Sequence, residues 1–234
     1  MNKFIFLIFF CLSIVSVKHM VFANTDSTFI KSEENNSINI KSDNVEYVFK
    51  KEQEIGIFTG NVYMEQKGLK FFGDKVNLFT NEGKVVGDGN LKIITEDKDW
   101  TFTITGGKGE FHKNEQYAIM IENPKLVIID KIQNNREIII TGKKMELFLN
   151  ENQVLVTKDV HILQNQVEAW SDKAVFYMKE KKLVMTENAK IAQKKNIFAA
   201  ENIIFFVEDN RLIMKNNVTG TVIQEKENEK MEIK

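Results

Sequence analysis

Two columns of residues repeat in step along almost the whole chain, and that repetition limits the possible folds more than any other feature. One column runs through Asp43, Asp74, Gly107, Lys143, Asp172 and Glu201, and apolar runs such as Val76 to Phe79 or Ala174 to Tyr177 follow its members. The other runs through Asn61, Asn90, Asn123, Asp159, Asn188 and Asn217, each followed by Val, Leu, Pro or Ala. Neighbours within a column lie roughly 30 residues apart, and both columns lengthen at the same two steps. Chance does not keep two columns in step, so one structural unit is being reused. A unit this short cannot bury its apolar face alone, and successive copies must stack.

The clearest copy, Gly60 to Phe79, shows what the unit is made of. Val62 and Met64 alternate with Tyr63 and Glu65, Lys67-Gly68 signals a turn, and Leu69 to Phe72 leads to Gly73-Asp74, after which a further run, Val76 to Phe79, begins. Short β-rich pieces punctuated by Gly, Asn and Asp read as strands with one face buried and the other wet. Trp100 to Thr105 alternates without error, and Met145 to Leu149, Ala174 to Met178 and Ile203 to Val207 keep large apolar residues two apart. No window carries a capped stripe of helical period. The pattern predicts an all-β fold of stacked repeats, two sheets facing each other. Val62, Met64, Leu78, Ile93, Phe102, Ile104, Met145, Leu147, Phe176, Met178, Ile191, Phe205 and Met214 line its inside.

A hydrophobic content of 43% is enough for a sizeable core, and a net charge of -1 gives no basic field for nucleic acid. The first 23 residues differ from the rest: Asn2-Lys3, an apolar run from Phe4 to Val17, and Val21-Phe22-Ala23 make a secretory signal peptide cleaved after Ala23. The same stretch could serve as an uncleaved anchor. Cys11, the only cysteine, lies inside it and follows Phe9-Phe10, which does not suit lipidation, so the mature chain has no thiol and needs no disulfide. Residues 24–37 read as a flexible leader, 38–224 as the repeat domain and 225–234 as a charged tail. Lys131 to Arg136 reads as a loop.

Catalytic chemistry has no support. His112 and His161 are isolated, no metal-ligand spacing or calcium loop appears, and Gly106-Gly107-Lys108-Gly109 lacks the Walker spacing. We expect no enzyme, no metal and no cofactor. Lys75, Lys108, Lys144 and Lys173 share one column, so stacking would line them up as a row of cations for phosphate, or simply as solvated strand starts beside Asp74 and Asp172. The Asn column reads as turn chemistry, because Asn tolerates left-handed backbone. Trp100 and Trp170 fit either a groove mouth or core. The 9 methionines and 18 phenylalanines suit an adaptable interior.

An exported chain with Gly60-Asn61-Val62-Tyr63-Met64-Glu65-Gln66, then Gly73-Asp74-Lys75-Val76, then a second copy over Asp159 to Tyr177, resembles the OstA/LptA-like proteins of lipopolysaccharide transport across 38–222. The resemblance implies a folded-over antiparallel β sheet, a β-taco or open β-jelly roll, whose apolar inside holds the acyl chains of lipopolysaccharide. It implies edge-to-edge β pairing with other Lpt proteins of the inner and outer membranes, or head-to-tail between copies, and a periplasmic location. The membrane-anchored partner, LptC, shares the fold and is the reading that an uncleaved 1–23 would favour. Two other classes compete: a secreted structural or adhesive β-solenoid with a fully packed core, and a β-helical polysaccharide enzyme. With only Arg136 and Arg211 as arginines, the enzyme ranks last.

Overall fold

The computed structural model describes residues 39–223 apart from 51, 52, 67, 97, 113, 134 and 135, and every regular element in it is a β-strand. The expected signal peptide, leader and charged tail lie outside the described residues. The first ribbon combines β1 (Asn39–Lys41) and β2 (Asn44–Lys50). Four long strands follow: β3 (Gln53–Gln66), β4 (Leu69–Phe79), β5 (Lys84–Glu96) and β6 (Trp100–His112). Two-part ribbons come next, β7 (Tyr117–Ile121) with β8 (Lys125–Asp130), then β9 (Arg136–Thr141) with β10 (Lys144–Phe148). After the continuous β11 (Gln153–Gln164) and β12 (Val167–Tyr177), three two-part ribbons close the fold. They are β13 (Lys182–Thr186) with β14 (Lys190–Gln193), β15 (Asn196–Ala199) with β16 (Asn202–Phe206), and β17 (Arg211–Lys215) with β18 (Thr219–Thr221). Each ribbon pairs antiparallel with the next, so the chain makes one continuous sheet.

The two sequence columns meet at a corner that crosses every ribbon. In the Asn column, pairs of consecutive residues have left-handed backbone: Gly60-Asn61 (φ 77 and 45), Gly89-Asn90 (78 and 47), Glu122-Asn123 (60 and 60), Lys158-Asp159 (63 and 53), Glu187-Asn188 (61 and 62) and Asn216-Asn217 (63 and 48). Where strands run through the corner, each pair faces a single residue of the other column. Thr59 and Val62 align with Lys75 and Gly73, leaving Gly60-Asn61 opposite Asp74, and Lys158-Asp159 face Asp172 in the same way. Such a two-against-one bulge bends the strand and increases its twist, and repeating it on alternate ribbons folds the whole sheet over. Two successive left-handed residues are also the backbone of a I′ turn, which is why Gly and Asn recur there.

Side chains of the two columns then tie the corner together. Asn61 Nδ2 donates to Asp43 Oδ2 at 2.9 Å, Asn90 Nδ2 to Asp74 Oδ2 at 2.8 Å and Asn188 Nδ2 to Asp172 Oδ2 at 2.6 Å, and Asn217 donates to Glu201. At the fourth corner the charges swap sides, with Lys143 Nζ 3.7 Å from Asp159 Oδ2. These contacts correct one expectation. Gly73-Asp74 does not separate two strands, because β4 runs through it opposite the bulge. Asp74 and Asp172 bond corner asparagines, whereas Lys108 and Lys144 are neutralised by Glu122 and Glu146.

The fold-over produces two leaves. Leaf one holds β2, β7, β10, β13, β16, β17 and residues 53–59, 75–79, 84–88, 108–112, 153–157 and 173–177; the remaining strand segments form leaf two. Alternation then sends every second side chain inward, and cross-strand register lines these up into rows. One row of leaf two runs Ile40, Met64, Phe71, Ile93, Ile104, Leu126, Ile140, Ile162, Ala169, Ile191 and Phe198 without a polar interruption. The leaves share two core clusters, and in the larger Phe102 of leaf two packs its ring 6.4 Å from that of Phe176 of leaf one.

Opposite the corner, a polar latch joins the free margins of the leaves. Arg136 begins β9, so the loop ends one residue earlier than the sequence reading placed it. Its Nη2 bonds Asp130 Oδ2 at 3.0 Å and crosses to the Val207 carbonyl of leaf one at 2.6 Å. Gln133 reaches the Glu208 carbonyl beside it, at 3.2 Å. Both charged side chains of the latch are buried, and Asp130 Oδ1 accepts the Ile132 and Gln133 amides. Stripping one partner from such a pair leaves an uncompensated charge.

Two stability measurements follow by urea denaturation. Asn61→Val puts a β-branched residue in left-handed backbone and is expected to cost about 1–2 kcal/mol, whereas Asn61→Gly should be near neutral. Arg136→Ala is expected to cost about 3–5 kcal/mol, and the double change Asp130→Leu with Arg136→Met should recover most of it.

Candidate functional site

The leaves do not meet everywhere. A cavity of about 130 Å³ lies between them, partly open and almost wholly apolar. Leaf two contributes Met64, Leu69, Phe71, Leu91, Ile93, Phe102, Ile104 and Leu126; leaf one contributes Val85, Phe111, Ala118, Met120, Leu147 and Val154, with Met178 from a turn at its margin. Glycine shapes the end nearest the corner. A Cβ at Gly73 or Gly87 would sit 2.8 Å from Leu91 Cδ2, so a side chain at either would push the end of Leu91 aside. Thr95 supplies a hydroxyl at the cavity wall, and its Oγ1 meets no hydrogen-bond partner among the described residues.

Charge is kept off this surface. Glu110 belongs to a lining strand, but its carboxylate bonds Lys84 at 2.9 Å, and that bond holds it below the usual carboxylate range. Among the described residues no group of His, Cys, Asp and Glu is placed to hold a metal. His112 contacts Glu110 and Glu115, and His161 bonds Glu168 at 2.9 Å. The cavity can therefore exclude water and accept hydrocarbon.

The sequence-derived interior residues divide into three groups. Met64, Ile93, Phe102, Ile104, Leu147 and Met178 line the cavity. Met145, Phe176 and Ile191 are buried away from it, where the leaves pack solidly together with Ile128, Ile140, Leu183, Met185 and Ile203, and Val62 is buried in a second cluster with Phe58 and Val76. Leu78 and Phe205 lie half-buried in inward rows, and Met214 packs against the core margin. Phe71, Val85, Phe111, Met120 and Leu126 escaped the reading, although Phe71 pairs with Met64 and Ile93, and Leu126 pairs with Ile104. Cross-strand partnership was the signal that would have found them.

Lys75, Lys108, Lys144 and Lys173 fall in one transverse row of leaf one, but on its outer face, with the sheet between them and the cavity. Lys215 extends that row. Trp100 is buried at the free margin under Lys181, whose Nζ lies 4.8 Å from its ring centre, and Trp170 is outside, stacked on His161. At the N-terminal end the inward row of leaf one is left uncovered, with Val45, Tyr47 and Phe49 between 52% and 76% exposed. Among the described residues, the β2 strand there pairs only with β3, and β17 at the other end only with β16.

Comparison with known proteins bears on this geometry. No curated protein matches the sequence. Among solved structures, LptH from Pseudomonas aeruginosa, described as the LptA-homologous periplasmic component of the lipopolysaccharide transport device, is 12% identical; the match covers 80% of this chain and 96% of that one, with a TM-score of 0.27. That likeness adds no weight to the strand pairing already described. Residues 39–211 match the family model described as LptA/(LptD N-terminal domain) LPS transport protein, which spans most of the described fold. The chain belongs to the LptA and LptD N-terminal-domain family of lipopolysaccharide-transport proteins.

Proposed function

We propose that this protein is a non-enzymatic carrier that shelters the acyl chains of lipopolysaccharide between its leaves while the lipid crosses the periplasm from inner to outer membrane. The apolar cavity between the leaves is the observation that supports this most directly. Each methylene kept from water is worth about 0.8 kcal/mol, so a chain of ten or more carbons strongly favours such a wall over solvent. Dry cavities of about 150 Å³ lined by Leu, Ile and Phe take up a single ring-sized apolar ligand. A cavity of about 130 Å³ therefore receives a segment of one chain, and a lipid with several chains enters as the leaves part about the corner.

The edge strands complete the proposal. Among the described residues, β1 and β2 at one end, and β17 and β18 at the other, present unpaired backbone on which a further strand can be added. Partners of the same pathway, or another copy of this chain, would continue the inward rows past either edge. The uncovered Val45, Tyr47 and Phe49 favour an occupant at the N-terminal edge. The solidly packed region around Phe176 and Ile203 supports a second reading, a secreted β-solenoid that binds no lipid.

Photo-crosslinking in cells separates the two. Crosslinkers replacing Phe71, Phe102 or Leu147 should trap lipopolysaccharide, and one replacing the outward Thr103 should not. Equal labelling at inward and outward positions, or none at any, would contradict the carrier reading and favour the solenoid.

A further inference from the structure

Trp170 is an exposed aromatic side chain that neither the interior nor the N-terminal edge accounts for. Register puts it on the outer face of leaf two, close to the corner, with His161 beside it on β11 and Lys190 beside it on β14. It is 38% exposed; among the described residues the other exposed aromatics, Tyr47 and Phe49, belong to the uncovered inward row of β2. The His161 ring stacks on the indole with centres 5.5 Å apart and planes 14° from parallel, and Glu168 in turn bonds the imidazole at 2.9 Å. The indole is therefore held in place from the β11 side while more than a third of the residue stays in water.

An open depression of about 450 Å³ lies beside it, with Trp170 as part of its wall and Asp159, Asp172, Asn188 and Lys190 as its polar and charged groups. The corner bond from Asn188 Nδ2 to Asp172 Oδ2, 2.6 Å long, fixes the carboxylate and the amide relative to each other. It leaves the second oxygen of Asp172 and the amide oxygen of Asn188 to accept, and the Lys190 ammonium to donate. A second depression, of about 290 Å³, adjoins the first along the corner: Asp159 is common to both, and Asn123, Pro124, Thr141 and Lys143 contribute to it. The two are centred on β9 and β12, with β11 between them, which is about 10 Å at the usual strand spacing.

We propose that these two depressions bind an extended saccharide chain. A pyranose ring has a flat face of C–H groups that can cover an indole, and hydroxyls around its edge that each donate and accept a hydrogen bond. Trp170 meets the first requirement and the polar rim the second, because Asp accepts, Lys donates and Asn does both. The mixture of charges decides the class of ligand. Asp159 and Asp172 repel a phosphate, Lys143 and Lys190 repel a cation, and neutral hydroxyls are served by both sets. Linked sugar units continue from one depression into the next, as the shared Asp159 requires. The inference does not depend on what the interior carries, because Trp170 points away from the cavity and the corner lies opposite the free margins of the leaves. Saccharide of this kind occurs both in cell-wall glycan and in the sugar portion of lipopolysaccharide, and the test separates the two.

Tryptophan fluorescence of the full chain is titrated in separate arms with soluble glycan strands of peptidoglycan and with the saccharide of lipopolysaccharide freed of its lipid. Covering Trp170 should change the emission in at least one arm, and that arm names the source; Trp100, buried at the free margin, should add a constant background. By calorimetry in the same arm, Trp170→Ala should bind at least about fivefold more weakly than wild type, as for other tryptophan anchors. Trp170→Phe keeps a flat ring and should recover part of that loss, and Lys190→Ala should bind about two- to tenfold more weakly. Phe72→Ala, which removes an outward aromatic of the same transverse row, should bind as wild type does. No binding in either arm, binding that Trp170→Ala leaves unchanged, or an equal loss in Phe72→Ala overturns the proposal, and unchanged urea midpoints exclude unfolding as the cause.

Discussion

One backbone device underlies the structure: two left-handed residues set against one, in the same place on alternate ribbons. A β sheet without it would remain open, with an apolar face in water along its whole length. With it, each ribbon turns on itself and the sheet becomes its own partner. The penalty for left-handed backbone falls lightly on Gly and Asn, and the Asn amide gains a carboxylate acceptor across the corner. The corner contact tolerates different side chains, as the Lys143 and Asp159 pair shows, because the backbone bulge and not the side-chain bond sets the angle.

A corner repeated in this way fixes one margin and leaves the other free, and the free margin decides how far the interior is filled. Where the Asp130–Arg136 latch reaches Val207, and where Lys181 covers Trp100 and Phe102, the leaves are held together. Near Leu91 and Phe71, small residues on leaf one such as Gly87 and Ala118 leave space instead. The same stack of rows is therefore core at one level and cavity at another, with no change in its alternation. That arrangement suits a molecule that must stay folded while part of its interior exchanges one apolar occupant for another.

The repeat and the strand class were legible because period and alternation are local properties of a sequence. The two columns were visible as columns, yet their meeting at a corner was not, since bonds such as Asn188 to Asp172 depend on register between strands. Gly73-Asp74 misled for the same reason: its small and acidic residues serve the neighbouring ribbon's bulge and do not end their own strand. Alternation named an inside correctly for Phe102 and for Phe176, but it could not separate the one beside the cavity from the one in solid packing. The latch combines an arginine after a loop with a carbonyl some seventy residues away, and nothing local marks such a pair.

The central claim is that the space between the leaves holds acyl chains. Mass spectrometry of lipid carried by the protein isolated from its native envelope under non-denaturing conditions tests this directly. A phosphorylated saccharolipid bearing several acyl chains, bound at a fixed ratio and lost when Ala118 is enlarged to Phe, is the expected result. Protein that emerges free of lipid, and takes up no added lipopolysaccharide, would contradict the account.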